Sequence, residues 1–164
     1  MNSNSMLFVT YKSDIENDKS HVEALNKLIQ TNANAMKGFR EAANAIDDPS
    51  VQSTLQKYAD QREGFGTRLV NFAVGMNAEP YTDRSLLGAV HHTWIDLKGV
   101  ITGGDSVAIL KEAIRGEEVA LEIYNSVDLS GLPEAMRQAI VEQHESIEHV
   151  KHDLEDMCEE LTES

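Results

Sequence analysis

Aromatic residues make up only 5% of this 164-residue chain, which is thin for a β-sandwich and ordinary for a helical bundle packed with Leu, Ile, Ala and Met. Proline occurs three times, at Pro49, Pro80 and Pro133, so long stretches carry no helix breaker. The single cysteine, Cys158, excludes an internal disulfide. No apolar run approaches the ~18–20 residues of a membrane span, and the patch Met6-Leu7-Phe8-Val9 lacks the basic flank and length of a secretory signal. Basic residues are scarce too: 14 Lys and Arg face 28 Asp and Glu, a net charge of −14. Such a chain is repelled by nucleic-acid phosphates and by anionic lipid headgroups, so neither nucleic acid nor a membrane is an expected partner. A cytoplasmic protein of one domain fits these absences.

What is present is helical periodicity. Residues 1–20 are polar and aperiodic and read as a flexible N-terminal arm. From His21 the apolar positions Val22, Leu25, Leu28/Ile29, Met36, Phe39, Ala43 and Ile46 share one face. Asp47-Asp48-Pro49-Ser50 ends that helix and opens a second, with Val51, Leu55, Tyr58, Phe65, Leu69, Phe72/Ala73 and Met76 inward. A shorter pattern follows over about 84–101, through Leu87, Val90, Trp94, Leu97 and Ile101, and Gly103-Gly104-Asp105 breaks it. Val107, Leu110, Ala113/Ile114, Leu121, Tyr124 and Val127 mark the next helix. Leu132, Met136, Ile140, Ile147, Val150, Leu154 and Met157/Cys158 mark the last. No strand pattern of convincing length occurs.

Two short connections make two antiparallel hairpins, and the 84–101 helix is placed to carry the chain between them. The expectation is an all-α, ferritin-like four-helix bundle over residues 21–160, with a short crossover helix between the two helical hairpins. Each long helix carries one polar residue within its apolar stripe: Asn32, Arg62, Glu117 and Gln143. Counted from the turns, the four lie at nearly one height, which predicts a buried polar layer around an Arg62–Glu117 ion pair.

In ferritin-like bundles that layer holds two metals on carboxylates and Glu-x-x-His pairs. Here Asn32, Gln143 and the fixed cation Arg62 stand at the matching level, and Glu-x-x-His occurs nowhere in the chain. No cofactor is therefore expected. The alternative is an iron or manganese site using Glu117 with Glu118, His144 and Glu63. The string Glu142-Gln-His-Glu-Ser-Ile-Glu-His-Val-Lys-His-Asp153 invites a metal as well, but Glu145, Glu148, His149 and His152 fall away from the apolar stripe and read as a solvated face. His91 falls on the inward face and His92 on the outward one. Cys158 is taken as a small core hydrophobe. Gly103-Gly104-Asp105 has the spacing of neither phosphate-binding loop.

Asn26 through Ala43, Ala59-x-x-Arg62, Val90-His91-x-x-Trp94-x-x-Leu97-Lys98, Arg115-Gly116-Glu117-Glu118 with Tyr124, and His152-Asp153 occur in this order. Together they resemble a bacterial family of ferritin-like four-helix-bundle proteins classified as a domain of unknown function, over about residues 21–158. The resemblance implies the ferritin-like bundle and no established activity, and the di-iron ligands cannot be carried over. The expected role is structural or partner-binding, with stress physiology suggested by analogy; the alternative is a metal-dependent oxidase or ferroxidase. Residues 132–164 hold 10 acids and 2 bases, so the last helix is the expected face for an unknown protein partner. A homo-oligomer is compatible with the pattern.

Overall fold

The computed structural model describes residues 3–76 and 105–163, with side chains from Lys19 onward. Among the described residues there are four helices and no strands: α1 (Ser3–Ala45), α2 (Pro49–Gly75), α3 (Ser106–Asn125) and α4 (Glu134–Glu163). The expected crossover helix at 84–101, with His91 and His92, lies outside them.

Helix starts follow the local chemistry. The Asp48 carboxylate accepts from Ser50 N at 2.8 Å and Val51 N at 3.0 Å, and Pro49 stands where a missing N–H costs nothing. Asp105 caps α3 in the same way, accepting from Val107 N at 3.0 Å and Ala108 N at 3.3 Å. Between α3 and α4, Gly131 takes φ 75°, a left-handed conformation that a Cβ would strain.

One boundary departs from expectation. α1 is helical from Ser3, so the stretch read as a loose arm up to residue 20 continues the helix. The physical reason is the absence of a stop: no proline or glycine precedes Gly38. The apolar pattern that starts at His21 does not mark the start of the helix.

Contacts between helices fix their directions. Arg40 meets Glu63 at 2.9 Å, and Gln52 Nε2 donates to Ala43 O at 3.0 Å, so α1 and α2 are antiparallel. Tyr58 with Asp153 at 2.9 Å and Arg68 with Glu142 at 2.8 Å make α2 and α4 antiparallel. Lys27 with Ser126 at 3.0 Å and Asn32 with Tyr124 at 2.6 Å do the same for α1 and α3. Hence α2 and α3 run parallel, and Met76 and Asp105 lie at opposite ends of the bundle.

The core is in two parts. One half packs Ala35, Phe39, Ala42, Ala43 and Ile46 of α1 against Val51, Leu55 and Ala59 of α2, Ile109, Leu110 and Ala113 of α3, and Val150, Leu154 and Cys158 of α4. The other packs Leu25, Leu28 and Ile29 against Leu69 and Ala73, Ala120 and Tyr124, and Met136, Ile140 and Ile147, with Leu132 of the turn. Cys158 is buried in the first half as a free thiol. Each half is ordinary close-packed apolar matter; the boundary between them is not.

Candidate functional site

The boundary is a polar belt. Asn32, Arg62, Glu117 and Gln143 are 0%, 0%, 0% and 1% exposed, each from a different helix. Their placement follows from the helix repeat: each falls on its helix's inward stripe, between residues of the two half-cores.

The belt is a continuous hydrogen-bonded chain. Arg62 Nη2 donates to Glu117 Oε2, an ion pair buried on both sides. Arg62 Nη1 donates to Asn32 Oδ1 at 3.3 Å. Asn32 Nδ2 donates to the Tyr124 hydroxyl at 2.6 Å and to Leu28 O at 2.9 Å. The Tyr124 hydroxyl donates to Gln143 Oε1 at 2.8 Å, and Gln143 Nε2 reaches Phe65 O at 3.3 Å. The Phe65 ring lies 5.8 Å from the Arg62 guanidinium carbon. Two atoms of the ion pair, Arg62 Nε and Glu117 Oε1, are buried without a hydrogen-bond partner.

Asn32 thus touches the ion pair directly, whereas Gln143 joins it only through Tyr124. Tyr124 was legible as a member of the α3 apolar stripe but not as the link. The available signal was chemical: a buried tyrosine hydroxyl needs a partner, and Tyr124 lies two turns along the same face from Glu117.

Burial pushes the Glu117 carboxyl above its ordinary value, and the Arg62 guanidinium pulls it back down. Burial pushes the Tyr124 hydroxyl up to about 12, against the hydrogen bond from Asn32 and the charge of Arg62. Tyr58 is raised as well, first by burial and then by its bond to the Asp153 carboxylate. An acid whose folded-state pKa is raised contributes stability that is complete below its ordinary pKa and is lost as pH rises past it. For Tyr124 that window runs from pH 10.0 to about 12. Alkaline absorbance titration should therefore show a late tyrosinate component, and Tyr124→Phe should diminish it. A normal titration of every tyrosine in the folded chain would contradict the belt.

The alternative metal residues are not brought together. Glu117 is committed to Arg62. Glu63 is 56% exposed and faces Arg40, while Glu118 is 53% exposed and 3.9 Å from Lys151. His144 Nδ1 lies 3.9 Å from Glu148, and its Nε2 is buried without a hydrogen-bond partner. Among the described residues no three His, Cys, Asp or Glu side chains form a group that could hold a metal ion. His149 is 79% exposed and 3.7 Å from Asp153, and the exposed His152 turns its Nδ1 to Glu148 O at 2.8 Å. The donor set at mid-bundle, one carboxylate bound to a guanidinium with two amides beyond, does not fit a di-iron or di-manganese centre.

A chain of parallel and antiparallel helices closed around a buried ionic belt defines an all-α four-helix bundle. By sequence, the chain belongs to the family described as Domain of unknown function (DUF2383), which matches residues 20–129. The matched region holds Asn32, Arg62, Glu117 and Tyr124 but stops before α4, and so before Gln143. That is shorter than the 21–158 over which the sequence motifs run. A comparison with curated proteins finds no match. No helix among the described residues is long and apolar enough to cross a membrane.

Proposed function

We propose that the chain is a ferritin-like bundle whose mid-layer serves as structure rather than as a metal centre, and that it acts in the cytoplasm as a structural or partner-binding protein. One observation carries this reading: a fully buried guanidinium, Arg62, stands at the level where a ferritin-like bundle holds its metals, and donates to the one suitably placed carboxylate, Glu117. A second cation beside it would require carboxylates that Asn32 and Gln143 do not supply. The parallel course of α2 and α3 supports the ferritin-like arrangement of hairpins. The acidic outer face of α4, with Glu145, Asp156 and Glu159 exposed, supports binding of a basic protein surface.

The competing reading is an iron- or manganese-dependent oxidase built on Glu117, Glu118, His144 and Glu63. It draws on the two unpartnered buried atoms, Glu117 Oε1 and His144 Nε2. Elemental analysis of untagged protein, purified and then offered Fe²⁺ or Mn²⁺ and desalted, separates the two. The expected result is far less than one metal per chain, the same in Glu117→Gln. Near-stoichiometric iron or manganese that Glu117→Gln abolishes would overturn the proposal.

A further inference from the structure

The ion pair at the centre of the belt leaves two atoms over. Arg62 Nε and Glu117 Oε1 are buried with no hydrogen-bond partner among the described residues, and both side chains are 0% exposed. The other buried polar atoms in that condition, Asn34 Oδ1, Gln61 Oε1 and His144 Nε2, stand on residues that reach the surface in part. Among the described residues, the belt alone leaves a donor and an acceptor unmatched on two fully buried side chains that touch each other.

Both atoms lie at the contact. In a guanidinium, Nε–H and the Nη2–H beside it point off one edge, and that edge can meet a carboxylate as a fork. Nη2 donates to Glu117 Oε2, so one tine of the fork is made, and Nε and Oε1 are the ends of the other. The opposite edge is committed elsewhere, because Nη1 donates to Asn32 Oδ1 at 3.3 Å. Asn32 is held in turn by Tyr124 at 2.6 Å and by Leu28 O at 2.9 Å. Turning the guanidinium to bring Nε directly onto Oε1 would draw Nη1 off an acceptor that is held in place.

The chemistry of the two atoms selects what joins them. Nε–H only donates, which no cation answers, and the ionised Oε1 only accepts, which no anion answers. The joining group must be neutral, accept on one side and donate on the other. It must also be small enough for a layer between two close-packed apolar half-cores. Water meets all of these conditions.

We infer that the belt holds an ordered water that accepts from Arg62 Nε and donates to Glu117 Oε1, so that the fork closes half directly and half through the water. Buried waters make ~2–4 hydrogen bonds to groups that the protein itself leaves unmatched, and these two atoms supply the lower number. Donation to Oε1 favours the charged carboxylate, the direction in which Arg62 already acts against burial. It also engages the carboxylate oxygen to which a metal would turn. The inference therefore rests on the reading of the belt as structure and names what completes it.

Water relaxation dispersion of the folded full chain reports internal waters that exchange slowly. Comparison with Arg62→Met/Glu117→Leu, which removes both partners, isolates this one. The expected result is a loss on the order of one slowly exchanging water per chain in the variant. An unchanged amount would overturn the inference. Crystallography of the unaltered chain requires no variant to fold. Density within hydrogen-bond distance of both Arg62 Nε and Glu117 Oε1 is expected there. Nε bonded straight to Oε1 would overturn the water and leave the structural reading of the belt intact, whereas a metal ion on Oε1 would overturn both.

Discussion

Arg62→Met is expected to cost ~3–5 kcal/mol of unfolding free energy, because it leaves the Glu117 carboxylate buried without its cation. The loss has a second source. Asn32 Oδ1 accepts from Arg62, so it too is left unpaired in the belt. The effect should depend on pH in a defined direction. Burial already raises Glu117, and removing the guanidinium removes the force that opposes that rise. A raised carboxyl is stabilising when protonated and loses that contribution as pH climbs. The gap between Arg62→Met and the native chain should therefore widen from acid toward neutral pH. Urea unfolding at a series of pH values measures it; a constant gap would show that Glu117 does not titrate in response to Arg62.

Phe39→Ala is the second large effect, ~3–5 kcal/mol, and its origin is different. Phe39 is fully buried in one half-core, and its ring centroid lies 5.6 Å from that of Tyr58. Removing it takes apolar area out of the core and leaves a void that neighbouring helices fill only in part. It should also release Tyr58, whose hydroxyl donates to Asp153 at 2.9 Å and ties α2 to α4. Unlike Arg62→Met, the loss should be nearly flat between mildly acidic and neutral pH, since the carboxylate that Tyr58 releases, Asp153, is part-exposed and no buried carboxylate loses its cation. Comparing the two variants across pH separates a packing defect from a charge defect. A pH-dependent Phe39→Ala would mean that the half-core and the belt are coupled more tightly than their contacts indicate.

Much of this architecture could be read from spacing. The 3.6-residue repeat marks four long helices, because a helix that buries one face must place apolar residues there. A lone polar residue inside such a stripe stands out for the same reason, and Asn32, Arg62, Glu117 and Gln143 are all buried in the structure. Three features escaped. Residues 3–20 lack the dense apolar stripe that marks the later helices, so periodicity does not reveal them as helical; the absence of Pro and Gly is what carries α1 back to Ser3. Tyr124 is counted as apolar by any pattern, yet its hydroxyl connects Asn32 to Gln143. The heights of the four polar residues were counted from turns, which resolves level but not side-chain reach. Gln143 accordingly shares the level of the ion pair but meets it only through Tyr124 and Asn32. Glu118 and His144 could be set near the belt by the same counting, while their contacts run to Lys151 and Glu148.

The acidity follows the same division. Most carboxylates of α4 are exposed, whereas Glu117 is buried and is met by Arg62. That pairing is the central claim, and a double-mutant cycle on Arg62 and Glu117 tests it most directly. Arg62→Met and Glu117→Leu are each expected to destabilise by ~3–5 kcal/mol, while the combined variant, with neither charge in the belt, recovers most of that loss. A combined variant as unstable as either single one, or losses that simply add, would contradict the account.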